Sequence, residues 1–284
     1  MTENDLINDT SWHKDEGHQE QIDFLKEWPI EKIEGITLEE YTNLDRDTSL
    51  AYWLEKRTEN TGSIWGGSAF KFGIYKRKNT NDLVEKDLYK TDGVYAWYSK
   101  YGDSKEEAFQ KIKDFINKIV NASINKRFHE IDNIDWGDSV KWKLAFLYNN
   151  DSLVPVFKKE VLQRAAEFSG LKNAKKKNIS ELQNHLISIK EDGVPTLEFA
   201  HQIWSQFNLD NFYYVVDRFL RQAQTDNLKQ KGFPKNYKGY KVRVSFGAGN
   251  AARIPWIALL KSPNEVTKGI YPVYLYYKEV EKLI

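Results

Sequence analysis

Residues 240–277, YKVRVSFGAGNAARIPWIALLKSPNEVTKGIYPVYLYY, constrain the fold of this chain more than any other stretch. Two runs rich in β-branched and aromatic residues, 240–246 and 271–277, have the composition of strands. Between them lie a glycine-rich elbow, Gly247-Ala248-Gly249-Asn250, and an apolar run, Ile254-Pro255-Trp256-Ile257. Glycine lacks Cβ and tolerates unusual dihedrals, so the elbow can turn sharply and bring main chain close to a ligand. With Trp256 and several tyrosines nearby, the segment can form a pocket rim for a flat aromatic molecule.

The rest of the chain reads as alternating helices and short strands. Its 284 residues suit one large domain or two smaller ones. Residues 1–19 are polar and charged and read as a disordered lead. Residues 22–25 begin a helical pattern that ends before Pro29, and Thr37 with Glu40 makes a capping-box signature. Residues 49–57, 69–77, 93–99 and 140–148 read as strands. In the second, Phe70, Phe72 and Ile74 alternate with Lys71, Gly73 and Tyr75. Residues 103–122 are the clearest helix, with Ser104 as cap and Glu106 and Glu107 at its positive end. Ala108, Ile112, Phe115, Ile116 and Ile119 give that helix one apolar face. Residues 154–168 begin extended and turn helical, and 179–189, 196–207 and 209–224 read as further helices. Gly193 and Pro195 punctuate the chain after a charged helix end and mark a domain boundary. The expected fold class is α+β: two mixed modules, 20–192 and 193–284, each a small, mainly antiparallel sheet packed with helices.

Several chemistries find no support. There is no cysteine, so no disulfide framework and no thiolate metal site. The five histidines include no helical i, i+4 pair, so a metal centre is not expected. Neither G-x-x-x-x-G-K-[ST] nor G-x-G-x-x-G occurs, and Gly-x-Ser-x-Gly is absent. The carboxylate pairs Glu39/Glu40 and Glu106/Glu107 sit at helix starts, where capping and the helix dipole account for them. No enzyme active site and no cofactor are expected. No apolar run approaches the roughly 20 residues that span a bilayer, and the N-terminus has no signal-peptide core, so a cytoplasmic location is expected.

Nucleic-acid binding fares better. Overall charge is balanced, 42 Lys+Arg against 41 Asp+Glu, so any phosphate-contacting surface must be local. Residues 217–256 contain Arg218, Arg221, Lys229, Lys231, Lys235, Lys238, Lys241, Arg243 and Arg253 against only Asp217 and Asp226. Phe233, Tyr237, Tyr240 and Phe246 are interleaved with these cations, and rings can stack on bases. A solvated basic loop beside an ordinary core would carry the same composition.

From about Phe212 to the end, the chain resembles the N-terminal DNA-binding domain of McrB-type proteins, specificity subunits of modification-dependent restriction systems. The resemblance rests on Phe219-Leu220-Arg221-Gln222-Ala223-Gln224 and on Tyr240 through Asn250 with Gly247-x-Gly249. It continues with Arg253-Ile254-Pro255-Trp256-Ile257-Ala258 and with Lys268 through Tyr277. It implies recognition of methylated or hydroxymethylated cytosine by rotating the base out of duplex DNA. It implies partnership with a GTP-hydrolysing motor and a separate nuclease, neither carried by this chain. By position, Trp256, Tyr271 and Leu275 would line the base pocket. Lys241, Arg243, Ser245, Gly247, Ala248, Gly249, Asn250 and Arg253 would face the DNA. Ala248 departs from the pattern: it cannot fill the gap left by an extruded base, so either another side chain, Phe246 or Arg253, does so, or flipping is weaker here. The family continues beyond the position of Ile284, so the domain is expected to be incomplete here. Trp65, Phe70, Phe72, Trp97 and Tyr98 offer either a second base-reading site or a packed core. The rival reading is a protein-docking or assembly scaffold of a defence complex in the first module, with an inert truncated tail.

Overall fold

The computed structural model describes residues 14–78, 88–208 and 212–284. They fall into two compact units, Met1–Gln202 and Ile203–Ile284, with mixed α+β structure in each. The first unit opens with α1 (Lys14–Glu27), so the expected disordered lead is helical from Lys14 on, and residues 1–13 lie outside the described residues. Gly17 lets α1 approach the turn at Asn60, where a Cβ would sit 2.9 Å from the Asn60 carbonyl oxygen. The Glu20 carboxylate then accepts from the Asn60 backbone N–H (2.8 Å) and side-chain amide (2.7 Å). After α2 (Ile30–Gly35), α3 (Leu38–Tyr41) begins with the expected capping box. The Thr37 hydroxyl accepts from the Glu40 N–H at 3.3 Å, and the Glu40 carboxylate accepts from the Thr37 N–H at 2.9 Å.

Residues 49–57 are not a strand. Ser49 caps a helical turn, α4 (Leu50–Tyr52), which runs into a π-helical stretch, Trp53–Arg57, closed by the Thr58 N–H donating to the Trp53 carbonyl at 3.1 Å. Leu50, Ala51 and Leu54 are buried at helical, not alternating, spacing. The small antiparallel sheet follows, with β1 (Ile74–Lys76), β2 (Tyr89–Thr91) and β3 (Tyr95–Tyr98) in the order β1-β3-β2. The strand expected over 69–77 is shorter than that. Residues Ala69–Phe72 form a 3₁₀ turn, and Gly73, at φ +84°, sits where a Cβ would meet the Ile112 side chain at 2.5 Å.

Helix α5 (Lys105–Ile124) has the expected Ser104 cap, its hydroxyl accepting from the Glu107 N–H at 3.2 Å, and buries the expected apolar face. Each large apolar side chain buried there contributes about 1.5–3 kcal/mol. After α6 (Phe128–Asp132), α7 (Asp138–Leu147) packs on α5. This corrects the strand expected over 140–148, whose V-K-W-K alternation suggested lysines turned to water. Both lysines are buried instead. Lys141 donates to the carbonyls of Asp132 (3.2 Å) and Ile134 (3.0 Å). Lys143 donates to the carbonyls of Thr58 (2.5 Å) and Gly62 (2.7 Å) and to the Thr61 hydroxyl (2.6 Å). Backbone oxygens meet the ammonium groups, so a helix can turn all its sides inward. Helices α8 (Lys159–Phe168) and α9 (Ile179–Ser188) pack together and complete the unit. The chain had been expected to divide at the Gly193–Pro195 turn; the units part at Gln202 and Ile203, inside α10 (Thr196–Phe207).

The second unit sets α11 (Phe212–Ala223) against a five-stranded antiparallel sheet. The strands run in sequence order: β4 (Asn236–Tyr237), β5 (Tyr240–Ser245), β6 (Trp256–Leu260), β7 (Val273–Tyr277) and β8 (Lys282–Leu283). The apolar run at 254–257 is thus the entry to the central strand. Val242, Val244, Phe246, Ile257 and Tyr276 are buried. Phe219 of α11 meets Phe246 at 5.4 Å and Tyr276 at 6.5 Å between ring centroids. Among the described residues, no helix is long and apolar enough to cross a membrane.

Candidate nucleic-acid interface

Strand alternation divides this sheet chemically. Successive side chains of a strand take opposite faces, and directly paired residues share one. With Val242 and Val244 turned to the core, Lys241, Arg243 and Ser245 take the opposite face, which is exposed along β5 at Lys241 and Arg243 and buried on β6 at Ala258 and Leu260. The register places Ser245 opposite Trp256 and Trp256 opposite Leu275, a continuous row across three strands. The next row is Arg243, Ala258 and Val273, and beyond it Lys241 lies between Asn236 and Leu260. Lys241 and Arg243 are exposed, while Ser245, Trp256 and Leu275 are half-buried. An apolar wall and a cationic strip therefore lie side by side.

The elbow caps one end of this row. Gly247 has φ +126°, and a Cβ there would lie 1.9 Å from the Asn250 carbonyl oxygen and 2.8 Å from the Ala252 nitrogen. Only glycine allows that fold-back. The loop is closed by the Ala252 N–H donating to the Phe246 carbonyl at 2.7 Å, while the Gly247 N–H donates to the Ser245 hydroxyl at 3.4 Å. Ala248, Gly249 and Asn250 are all exposed at its tip, so small side chains and main chain are presented to a ligand.

At the other end, β4 and β5 are joined by Lys238-Gly239, with φ +44° and +82°. Positive φ at both central residues is the type I′ pattern that matches strand twist in a two-residue hairpin. Lys229, Lys231, Lys235 and Lys238 are exposed on and before this hairpin. The remaining arginines of the basic stretch have structural partners. Arg218 donates to the carbonyls of Lys231 and Gly232, both at 3.1 Å, and lies 5.2 Å over the Phe233 ring. Arg221 pairs with Asp217 at 2.9 Å. Arg253 holds Glu279 with two parallel bonds of 2.9 Å, and this guanidinium keeps the Glu279 carboxyl below its ordinary pKa.

A family profile described as MrcB-like, N-terminal domain matches residues 202–284. Over 70 residues the chain is 41% identical to the Type IV methyl-directed restriction enzyme EcoKMcrB subunit of Escherichia coli (strain K12). Residues 202–284 are an McrB-like N-terminal domain. The alignment covers 24% of this chain and 15% of that relative, so the chain spans a small part of the relative's length.

Within the McrB-like domain, the residues expected to form the site are distributed unevenly. Ser245, Trp256 and Leu275 are brought together, with Arg243 and Lys241 beside them. Tyr271 precedes β7, and Pro272 accepts from the Leu259 N–H at 3.0 Å. Tyr271 therefore lies at the end of the sheet away from the elbow, roughly 13 Å along the strand from Leu275, and its hydroxyl donates to the Val266 carbonyl. Of the two residues expected to fill a base-sized gap, one is buried and the other exposed. Phe246 is buried in the core against Phe219 and Phe233, and Arg253 is engaged by Glu279. Sequence reasoning missed Asn236, which faces Lys241, and Glu279, which holds Arg253. A two-residue Lys-Gly turn between strand-like pairs was the available signal for the hairpin that carries Asn236; a partner 26 positions away from Arg253 left none.

Proposed function

We propose that the McrB-like domain binds double-stranded DNA through the face of its sheet that carries Lys241 and Arg243 and reads a modified, 5-methylcytosine-type base turned out of the duplex. The observation that carries this reading is the Ser245–Trp256–Leu275 row lying beside Arg243 and Lys241. A base outside the stack is recognised by aromatic and apolar walls and by hydrogen bonds to its edge, and a 5-methyl group adds apolar surface to be buried. Trp256 and Leu275 supply the walls, Ser245 a hydroxyl, and Lys241, Arg243 and the exposed hairpin lysines the phosphate contacts. The elbow lets main chain approach the backbone. The methyl-directed activity in the relative's name supports the same reading. The chain itself performs no catalysis in this scheme. It acts in the cytoplasm, with a GTPase motor and a nuclease of the same system as partners. Fluorescence-anisotropy titration of matched methylated and unmethylated duplexes tests it. The methylated duplex binds more tightly, and Trp256→Ala removes the difference while leaving salt-dependent binding. Equal affinity of the unsubstituted chain for both duplexes would overturn the proposal.

A further inference from the structure

The aromatic residues of the first unit separate into two groups. Phe72 and Trp97 are buried, and Phe70 stacks on Tyr89 at 3.7 Å in a cluster with Tyr75 and Tyr98. Trp65 is different: 66% of it is exposed, at the edge of a cleft of about 290 Å³. Tyr52, Glu55 and Lys56, from α4 and the π-helical stretch Trp53–Arg57, also line it. π-Helical turns are rare and recur at functional sites, because they re-aim side chains at some loss of helix stability.

The cleft is held open by charge pairing within its own wall. The Lys71 ammonium pairs with Glu55 at 2.5 Å and donates to the carbonyls of Ile64 (2.7 Å) and Gly66 (2.8 Å). That cation ties the Trp65 loop to the π-helical wall and neutralises the carboxylate lining the cleft. Lys76, also in the lining, is matched by Glu39 at 2.7 Å. Lys56 and Lys78 remain in the lining with no ion pair to a described carboxylate, and the Lys56 ammonium lies 4.0 Å over the Trp65 ring. An exposed indole, a tyrosine and two ammonium groups with no ion pair to a described carboxylate match one ligand chemistry: a flat, electron-rich ring joined to an anion.

We infer that this cleft binds a nucleotide, with the base stacked on Trp65 and the phosphate met by Lys56 and Lys78. The site is built wholly from the first unit and does not depend on the DNA-reading face of the McrB-like domain. The same chemistry is offered by a free mononucleotide and by one nucleotide of a single strand.

The full chain is titrated with AMP, with CMP, with inorganic phosphate and with a single-stranded oligonucleotide, following tryptophan fluorescence, with isothermal titration calorimetry giving the affinities of the unsubstituted chain and of each variant. Nucleotide quenches the signal and phosphate alone does not. Trp65→Ala weakens nucleotide binding about 5- to 160-fold, the range for a single base–aromatic stack. Because Trp65 is exposed, the substitution leaves the circular dichroism spectrum unchanged. Lys56→Gln weakens nucleotide binding and flattens its salt dependence. Equal binding of mononucleotide and oligonucleotide identifies a free nucleotide as the ligand; binding confined to the oligonucleotide and lost in Trp65→Ala identifies a strand. Lys241→Gln with Arg243→Gln leaves either signal intact, which separates this cleft from the duplex-binding face. Absence of any nucleotide- or oligonucleotide-dependent change up to millimolar concentration, or unchanged binding by Trp65→Ala, overturns the inference.

Discussion

Replacing Gly247 by alanine tests whether the elbow is a built part of the DNA-facing surface. The added Cβ would lie 1.9 Å from the Asn250 carbonyl oxygen and 2.8 Å from the Ala252 nitrogen, at a backbone φ of +126°. Neither neighbour is a flexible side chain, so relief requires the elbow to open. Holding a non-glycine residue in such a conformation costs about 1–3 kcal/mol. Opening the loop also loses the 2.7 Å bond from the Ala252 N–H to the Phe246 carbonyl, worth about 1 kcal/mol net. The expected destabilisation is therefore about 2–4 kcal/mol. Gly249→Ala is the matched control: its φ is +88°, but its Cβ meets nothing within 4 Å, so about 1–2 kcal/mol of backbone strain remains. Chemical denaturation gives the two stabilities, and anisotropy titration with a methylated duplex gives the two affinities. Gly247→Ala should be the less stable and the weaker binder. If the two variants matched in both measurements, neither the packing argument nor the functional role of the elbow would stand.

Other consequences are simpler. Lys241→Gln and Arg243→Gln should each weaken duplex binding regardless of methylation and reduce the slope of log affinity against log salt by about 0.9, measured by titration across salt concentrations. Glu279→Gln frees Arg253 from its two-bond partner. If Arg253 contacts phosphate, low-salt affinity should rise and the salt slope steepen by about 0.9; an unchanged slope would place Arg253 outside the interface. Burial pulls the Lys143 amine from its ordinary 10.5 down to about 7. Above pH 7 the folded state then releases a proton that the unfolded chain keeps, so the unfolded state binds more protons and stability should rise between pH 7 and 9. The slope should approach about 1.4 kcal/mol per pH unit in denaturant titrations, and Lys143→Met should flatten it. A shared slope in the two proteins would count against the burial argument.

The elements that could be read from the sequence were those whose local signals agree with their packing. Helix α5 has a serine cap, acidic residues in its first turn and apolar residues at three- and four-residue steps, and it buries that same face. The Thr37–Glu40 capping box is local in the same sense. The failures share a physical cause. Residues 140–148 alternate lysine with large apolar residues, but their lysines end on carbonyls of Thr58, Gly62, Asp132 and Ile134, supplied from elsewhere in the chain. Periodicity assumes that charge faces water, and here backbone oxygens, together with the Asp138 carboxylate 3.0 Å from Lys141, take the place of water. Residues 49–57 misled for a related reason: a π-helical turn has no period that an alternation or a 3.6-residue count can detect.

The candidate site divides in the same way. Trp256, Leu275 and Ser245 were named from the resemblance and the cations from composition; strand alternation then places Ser245, Arg243 and Lys241 on one face. What resemblance and composition could not supply was the register, which decides neighbours. Trp256 and Leu275 touch one row because β6 and β7 pair at that position; Tyr271, four residues earlier, falls at the other end of the sheet. Nor could they supply the partners of charges. Arg218 and Arg253 count toward the basic excess in composition, yet one fastens the loop at Lys231 and Gly232 and the other is held by Glu279. Within the basic stretch, the exposed cations with no ion pair to a described residue are those on and before the hairpin and in β5, while Arg253 is exposed in its pair with Glu279. That narrower set, lying in line with the Trp256–Leu275 row, gives the DNA-binding reading a direction across the sheet: phosphates along Lys238, Lys241 and Arg243, and the base toward the elbow.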